Sequence, residues 1–299
     1  MEDIMAIDAM NRPFYCIRRK EDKELYGIYE FNIMARSTFA GVLKRLELKP
    51  GEEWKLVTMM GKGSLEGMLQ EMDEVGIERT LIDPMIGWSR HDQKLWGNYS
   101  IETLAELAEK SKGRVVAGAG YNPFRIMESL EEIERAVKDL GFKFVWAHPI
   151  SFGLAPNDKK MYPLYIKGIE LGIPICIQVG QSAEPLPSEV GHPMYADEVA
   201  MDFPDLTLVL THTGWPWTQE WISMVWKHPN VYGNIGAYMP SDLDPALVRF
   251  MDGRGQDKVF WATNGLGTTR CKKEFMELPL KDETRRKVLR ENARRVFKL

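Results

Sequence analysis

Eight short, largely apolar runs recur along the 299-residue chain, and helical patterns separate them. The runs occupy residues 4–8, 79–83, 114–120, 142–149, 173–180, 206–214, 230–238 and 258–265. Most are almost continuously apolar, which is typical of strands covered on both faces. Together with a closing helical pattern at 283–298, they predict one α/β domain over residues 1–299, a (β/α)8 TIM barrel. A doubly wound open sheet is the alternative.

A long segment separates the first two runs, because the first helical pattern begins only near Ser64. Residues 13–62 are therefore expected to form an insertion after strand 1. Such an insertion would lie over the C-terminal face of the barrel, where barrel enzymes build their active sites. A lid that covers substrate and a mere surface elaboration both fit this segment.

Charge and composition argue against several classes of function. The net charge is −4 and no basic cluster is present, so nucleic acid is not an expected partner. No apolar run reaches the ~18 residues of a membrane span, and the acidic N-terminus does not resemble a signal peptide. Three cysteines, Cys16, Cys176 and Cys271, have no ligand-like spacing and are expected to be reduced thiols of a cytoplasmic protein.

Polar residues stand at the C-terminal end of every apolar run. In a barrel these ends converge on one mouth, so together they predict a single pocket. The residues at these positions are Asp8, Asn11, Arg12, Asp83, Tyr121, Asn122, His148, Gln178, His212, Asn234, Tyr238, Thr263 and Asn264.

The five histidines differ in their expected roles. His212 directly follows an apolar run and is a candidate general base, because imidazole titrates near neutral pH; a structural histidine is the alternative. His148 is expected to bind substrate or to orient a loop. His192 is expected to cap or anchor a loop, and His91 and His228 to lie on the surface.

Tryptophans follow His212 closely in "THTGWPWTQEW". Trp215 is predicted to line the mouth, where it could stack on a flat ring. Trp217, Trp221 and Trp226 are predicted to pack a helix onto the barrel, which is the commoner fate of tryptophan.

Six stretches, in order and each at its own strand, resemble one branch of the amidohydrolase superfamily. They include "LEGMLQEMDEVGIERTLI", "YPLYIKGIELGIPICIQVG", "GHPMYADEVAMDFPDLTLVLTHTGWPW" and "DKVFWATNGLG", and they span most of residues 64–267. The branch is the amidohydrolase-related (amidohydrolase 2) family, which includes aminocarboxymuconate-semialdehyde decarboxylase and the resorcylate-type decarboxylases. The resemblance implies a TIM barrel with one divalent zinc or manganese ion, and a homodimer is common in the family.

The resemblance also implies a set of metal ligands that this sequence lacks. The family holds its metal with H-x-H at strand 1, a histidine ending strand 5 and an aspartate ending strand 8. Here those positions are Met10 and Arg12, Gln178, and Asn264. Methionine is too soft for a hard divalent ion, arginine cannot coordinate, and amides bind such ions poorly. No cofactor is therefore expected, unless zinc or manganese uses Asp8, His148 and His212 as substitute ligands.

The retained strand-6 histidine is His212, which the family uses as a base or to activate water. We expect His212 to transfer a proton, oriented by Asp83 or Asp8. Arg12, Gln178 and Asn264 are expected to bind a substrate carboxylate or carbonyl. A one-residue slip of strand 1 would place Asn11 in the pocket instead. The full set of predicted substrate-binding residues is Arg12, Asn11, His148, Gln178, Trp215, Tyr238 and Asn264.

The sequence therefore predicts a metal-independent hydrolase or carboxy-lyase that acts on a small cyclic or carboxylated compound. Hydrolysis of a lactone or a C–C bond and non-oxidative decarboxylation both remain open. A catalytically inactive barrel that binds a small ligand or a protein is one alternative. A metal enzyme with rearranged ligands is the other.

Overall fold

The computed structural model describes residues 4–19 and 22–299, apart from the side chains of residues 58–60. The strands are β1 (Ala6–Asn11), β2 (Ile77–Ile82), β3 (Gly87–Ser89), β4 (Lys94–Trp96), β5 (Val115–Ala117), β6 (Ala119–Gly120), β7 (Val145–Ala147), β8 (Ile175–Gln178), β9 (Leu208–Thr211), β10 (Val231–Asn234) and β11 (Val259–Phe260).

Helices lie between the strands, as the alternating pattern predicts. They are α1 (Asp22–Tyr26), α2 (Tyr29–Arg36), α3 (Ala40–Arg45), α4 (Lys55–Met60), α5 (Leu65–Val75), α6 (Ile101–Lys110), α7 (Ile126–Lys138), α8 (Tyr162–Leu171), α9 (Ala196–Asp202), α10 (Thr218–Lys227), α11 (Pro245–Met251), α12 (Thr268–Glu277), α13 (Asp282–Arg286) and α14 (Asn292–Val296). A π-helical turn, Lys287–Glu291, joins α13 to α14 and completes the predicted closing helix.

Two parallel sheets make up the barrel wall. One has the order β1-β2-β5 and the other β11-β10-β9-β8-β7-β6. Backbone hydrogen bonds join them at both edges: Gly118 N donates to Ile82 O at 2.8 Å, and Ala9 N donates to Trp261 O at 3.1 Å. Because β5 and β6 are two halves of one barrel strand around Gly118, eight strand positions form a closed ring. The predicted (β/α)8 barrel is confirmed.

Large side chains fill the lower part of the barrel. Phe144 packs edge-on against Phe297, which comes from the end of the closing helical segment, with ring centroids 5.7 Å apart. Phe260 lies 5.6 Å from the same ring. Trp146 belongs to the same buried cluster, two residues beyond Phe144 on the inward face. The barrel is therefore packed solid below its mouth, and any site must lie above Trp146.

The segment after β1 folds into a short 3-10 turn and α1 to α4. The two ends of this segment lie side by side, since Lys62 N donates to Tyr15 O at 2.7 Å. The next helix, α5, begins where the sequence predicts: Ser64 Oγ accepts a hydrogen bond from Gly67 N at 3.0 Å. Among the described residues, no helix is both long and apolar enough to cross a membrane.

The β3–β4 hairpin, inserted after β2, has no counterpart in the sequence prediction. Its two strands pair antiparallel, Gly87 with Trp96 and Ser89 with Lys94. Each strand has three residues, too few for a periodic pattern to show. The hairpin matters for function because it carries the buried Trp96.

Gly118 is the residue at which the barrel wall changes from one sheet to the other, and its substitution tests the closed fold. A Cβ there would lie 2.4 Å from Cζ of Phe144, a ring that Phe297 holds in place. We expect Gly118→Ala to lower the free energy of unfolding by about 1–3 kcal/mol in urea denaturation, because of overpacking. Gly41→Ala is the control: nothing lies within 4 Å of a Cβ there. An equal loss in both variants would contradict this packing.

Candidate active site

Arg12 occupies the centre of the barrel mouth, directly after β1. Its side chain is buried, at 3% exposure. Nη1 donates to both carboxylate oxygens of Asp83, at 3.0 and 2.9 Å, and Nε donates to Asn264 Oδ1 at 2.6 Å. The guanidinium carbon lies 4.4 Å above the Trp146 ring, within cation–π range. Contacts from Asp83, Asn264 and Trp146 thus hold this cation in a fixed position at the end of β1.

Asp83 is the counter-ion of this buried cation. Burial raises the pKa of the Asp83 carboxyl above its usual value, and the Arg12 charge offsets part of that effect. Asp83 also accepts a hydrogen bond from Met85 N at 2.8 Å. Removing either charge alone would leave the other buried and unpaired, at a cost of about 3–5 kcal/mol. Asp83 is therefore a positioning residue that contacts Arg12.

His148 follows β7 and is a neutral hydrogen-bond donor toward the cavity. Its Nδ1 accepts a hydrogen bond from Ser151 N at 3.1 Å, so the ring proton of the neutral form lies on Nε2. Burial and then the Arg12 charge lower the pKa of His148 to about 3. Both Trp96 and Trp146 pack edge-on against the ring, each with centroids 5.6 Å apart.

His212 follows β9 in a left-handed backbone conformation, with φ of 70°. Such a conformation is uncommon for residues other than glycine and is found at functional sites more often than elsewhere. Burial, then Arg12, then His148 lower the pKa of His212 to about 3. Nδ1 of the ring is buried without a hydrogen-bond partner among the described residues. His212 is therefore a neutral imidazole with unused hydrogen-bonding capacity.

Asp8 and Asn11 do not line the cavity. Asp8 accepts hydrogen bonds from Thr263 N and Oγ1, at 2.9 and 2.6 Å, and from Asn11 Nδ2 at 3.0 Å. Burial raises the pKa of Asp8 to about 7 against these hydrogen bonds. Asn11 Oδ1 in turn accepts from Arg12 N at 2.8 Å. These residues join β1 to the segment after β11, and Arg12, the next residue, reaches the cavity.

The expected orientation of His212 by an aspartate does not occur. No hydrogen bond in the described part of the chain joins the His212 ring to Asp8 or Asp83. The reason is competition, because Arg12 engages Asp83 and Thr263 engages Asp8. The backbone instead fixes His212: its N–H donates to Asn234 Oδ1 at 3.1 Å.

The cavity above Arg12 has a volume of about 490 Å³, large enough for a small ring compound. Arg12, His148, Gln178, His212, Trp215, Tyr238 and Asn264 line it, so the structure brings together all the predicted substrate-binding residues except Asn11. The 13–62 segment contributes apolar side chains to the same cavity, among them Phe14, Phe31, Met34, Phe39, Leu56 and Val57.

Trp146, Trp96 and Glu184 are among the cavity residues that the sequence analysis did not identify. Trp146 lies two residues before His148, and the alternation of strand residues could have revealed that it faces the same way. Trp96 lies on a hairpin that is too short to predict. Glu184 stands in a loop without regular structure, where no periodicity places a side chain.

The remaining histidines and tryptophans occupy varied positions. His192 caps a short 3-10 turn as expected, since its Nδ1 accepts from Met194 N at 3.2 Å. His228 is not a surface residue: it is buried, and its Nε2 lies 2.6 Å from Asp197 Oδ1. Trp221 is fully buried as predicted, but Trp226 is 54% exposed and packs against Arg254. The prediction for Trp226 was wrong because it lies on the outer face of α10.

The residues at the mouth do not fit the divalent metal that the family resemblance implies. No group of three or more histidine, cysteine, aspartate or glutamate side chains within residues 4–19 and 22–299 is placed to hold a metal ion. Arg12 instead brings a fixed positive charge to this corner, and the soft donor Met10 Sδ lies 3.9 Å from its Nη2. A second cation would meet repulsion and too few anionic or imidazole ligands.

Comparison with known proteins assigns the family. The family model described as amidohydrolase matches residues 50–299. The chain belongs to the amidohydrolase family. Membership confirms the resemblance and identifies the chain as an enzyme, a hydrolase or a carboxy-lyase. No curated protein matches the sequence.

Solved structures of similar fold cover almost the whole chain. An uncharacterised TIM-barrel protein from Bordetella bronchiseptica is 24% identical with a TM-score of 0.74, covering 99% of each chain. The 2,6-dihydroxybenzoate decarboxylase from Rhizobium is 18% identical with a TM-score of 0.66, covering 100% of this chain and 99% of its own. The 5-carboxyvanillate decarboxylase from Novosphingobium aromaticivorans, complexed with manganese and 4-hydroxy-3-methoxy-5-nitrobenzoic acid, is 16% identical with a TM-score of 0.68, covering 100% and 97%.

The low pKa of His148 has a consequence for stability in acid. Between pH 6.5 and 3 the unfolded chain protonates this residue and the folded chain does not, so stability falls as pH falls through this range. His148→Asn keeps a side-chain acceptor for Ser151 N and removes the titration. We expect the loss of unfolding free energy between pH 7.5 and 4.5, measured in urea, to be smaller in the variant by about 1–3 kcal/mol.

The exposed His91 supplies the control for this prediction. His91→Gln removes a histidine that is exposed and pairs with Asp92 at the surface. We expect this variant to keep the loss of unfolding free energy that His148 causes between pH 7.5 and 4.5. Equal slopes for His148→Asn and the unmodified chain would show that His148 titrates normally in the folded state.

Proposed function

We propose that this enzyme is a metal-independent carboxy-lyase that decarboxylates a small aromatic carboxylate. The observation that carries the proposal is the position of the Arg12 guanidinium, a buried cation fixed at the floor of a cavity lined by aromatic side chains. Arg12 would bind the substrate carboxylate, and His212 would carry the proton that replaces it.

Three side chains at the floor of the cavity present hydrogen-bond donors. Arg12 Nη2 has only the weak acceptor Met10 Sδ among the described residues. Asn264 Oδ1 is occupied by Arg12 Nε, which can only donate, so the amide nitrogen of Asn264 remains for a ligand. His148 presents Nε2–H because its Nδ1 accepts from the backbone. These three donors, one of which belongs to the cation itself, favour a carboxylate as the ligand.

The walls of the cavity favour a flat ring. Trp96, Trp146, Trp215 and Tyr238 line it together with Phe14 and Phe31 from the segment after β1. Trp215 is 49% exposed at the mouth, with its ring available for stacking. We propose that the 13–62 segment acts as a lid, because its apolar side chains cover the ring and exclude water. Solved structures of similar fold are decarboxylases of ring carboxylates, which supports this substrate class.

The proton balance of the reaction assigns a role to His212. In the free enzyme its pKa is about 3, so the ring is neutral. Burial is the first cause of this low pKa and the Arg12 charge the second. A bound carboxylate offsets the Arg12 charge, and we propose that His212 takes up a proton when substrate binds. The imidazolium then protonates the ring carbon that bears the carboxylate. The new C–H bond forms with a π-electron pair of the ring, and His212 returns to the neutral form. The C–C bond then breaks, its electron pair returns to the ring and restores aromaticity, and CO2 leaves.

Hydrolysis is the second candidate, and the low pKa of His212 is the observation that favours it. A neutral imidazole that lines the cavity can accept a proton from water, as a general base does. Arg12 and Asn264 would then stabilise the oxyanion of a lactone or ketone. Release of CO2 from a substrate separates the two reactions.

Paired variants at Arg12 and Asp83 test the carboxylate site. Asp83→Asn keeps the cation and an acceptor for it, whereas Arg12→Met with Asp83→Asn removes the cation without leaving a buried carboxylate unpaired. We expect the double variant to bind benzoate about 10- to 100-fold more weakly than Asp83→Asn in calorimetry, the value of one charge-assisted hydrogen bond. Equal benzoate affinity in the two folded variants would refute a role for Arg12 in carboxylate binding.

A variant at His212 tests proton transfer. His212→Asn suits the backbone, because asparagine tolerates the left-handed conformation. We expect CO2 release from a panel of substituted benzoates to fall by a factor of about 100 or more. Calorimetry in two buffers at pH 6 should show proton uptake on benzoate binding in the unmodified enzyme and none in the variant.

A chelator supplies the third arm of this experiment. We expect turnover of the unmodified enzyme to persist after treatment with EDTA, because its residues do not form the ligand set of a divalent metal. Loss of turnover on chelation, with recovery on adding zinc or manganese, would overturn metal independence. Proton uptake that persists in His212→Asn would place the proton on another group.

A further inference from the structure

The loop after β8 presents hydrogen-bond acceptors to the same cavity. Glu184 Oε2 accepts a hydrogen bond from Ser182 Oγ, and Ser182 Oγ accepts one from Gln178 Nε2 at 3.2 Å. The direction of these two hydrogen bonds is fixed at Glu184, because a carboxylate oxygen accepts and does not donate. The single Ser182 proton therefore points to Glu184, and the Gln178 amide nitrogen points to Ser182. This leaves Gln178 Oε1 as an acceptor without a partner in the described part of the chain.

Glu184 is an unpaired carboxylate. It is half-buried and lines the cavity, yet no lysine or arginine of the described segments forms an ion pair with it. Its second oxygen, Oε1, receives no hydrogen bond from a described residue. A partly buried carboxylate without a cation gains from a ligand that brings a positive charge or a proton donor.

The cavity is therefore polar in a definite direction. At its floor stand the Arg12 cation and the donors of His148 and Asn264. The acceptors that line the same cavity are Gln178, at the end of β8, and Glu184, in the loop after it. A ligand that matches both must carry an anion on one side and a donor, preferably cationic, on another. A ligand with two carboxylates would place one of them against Glu184.

We infer that Glu184, held in place by Ser182, is a specificity-determining residue that selects aromatic carboxylates bearing an amine and rejects aromatic dicarboxylates. This inference rests on the proposed function, since it requires that Arg12 bind the first carboxylate. The amine donates to Glu184 Oε1 and to Gln178 Oε1. Its positive charge is neutralised by a carboxylate that otherwise lacks a counter-ion.

Three ligands of nearly equal size test this inference by calorimetry. They are 3-(aminomethyl)benzoate, 3-methylbenzoate and isophthalate, with the para isomers run in parallel to cover either ring position. We expect the unmodified enzyme to bind one aminomethyl isomer about 10-fold more tightly than the matching methyl compound, the effect of one charge-assisted hydrogen bond at a half-buried site. The dicarboxylate should bind most weakly.

The variant Glu184→Gln keeps the size of the side chain and removes its charge. We expect it to lose the roughly 10-fold preference for the aminomethyl ligand over the methyl ligand and to bind the dicarboxylate more tightly than the unmodified enzyme does. Glu189→Gln is the matched control. Glu189 lies on the same loop but is exposed, does not line the cavity, and accepts a hydrogen bond from Tyr195 Oη at 2.9 Å.

The outcomes separate this inference from the function on which it rests. If 3-methylbenzoate binds equally to Asp83→Asn and to its double variant with Arg12→Met, the carboxylate site is wrong, and this inference falls with it. If Arg12 matters but Glu184→Gln leaves the ligand preference unchanged, only the role of Glu184 is wrong. The inference about Glu184 is also overturned if the unmodified enzyme binds the dicarboxylate as tightly as the aminomethyl ligand. It is overturned as well if none of the ligands binds.

Discussion

The buried ion pair between Arg12 and Asp83 is the interaction on which the mouth of this barrel depends. It neutralises a cation that would otherwise be costly to bury, and it fixes the direction in which the remaining guanidinium nitrogen points. Burial, and after it the charge of Arg12, keep His148 and His212 neutral. The charge state of the site thus depends on its burial and on one arginine with its counter-ion.

The barrel could be predicted from the sequence because its strands are nearly continuous apolar runs, a pattern that follows from burial on both faces. The polar residues at the strand ends could be placed by topology alone, as for Gln178 and His212. The hydrogen-bond partners of Asp8 and Asp83 could not be predicted in this way. Asp8 lies within β1 and Asp83 directly follows β2, and only the distances in the folded chain show that Thr263 binds Asp8 and Arg12 binds Asp83.

Short and irregular segments set the limit of prediction. Trp96 lies on a three-residue strand, and Glu184 lies in a loop whose course is fixed by tertiary contacts. The absence of the family's metal ligands, by contrast, could be read directly from the residue identities. The sequence did not show that the Arg12 guanidinium carbon lies 4.4 Å above the Trp146 ring, so that an aromatic face lies beneath the charge.

Arg12 and Asn264 are separated by 252 positions in the chain, and the hydrogen bond between them spans the seam at which the barrel closes. Asp8 and Thr263 bridge the same seam. During synthesis Asp8 and Arg12 therefore lack these partners until β11 and the segment after it have been made. The nascent chain holds no assembled binding site for a small molecule until the ring is complete.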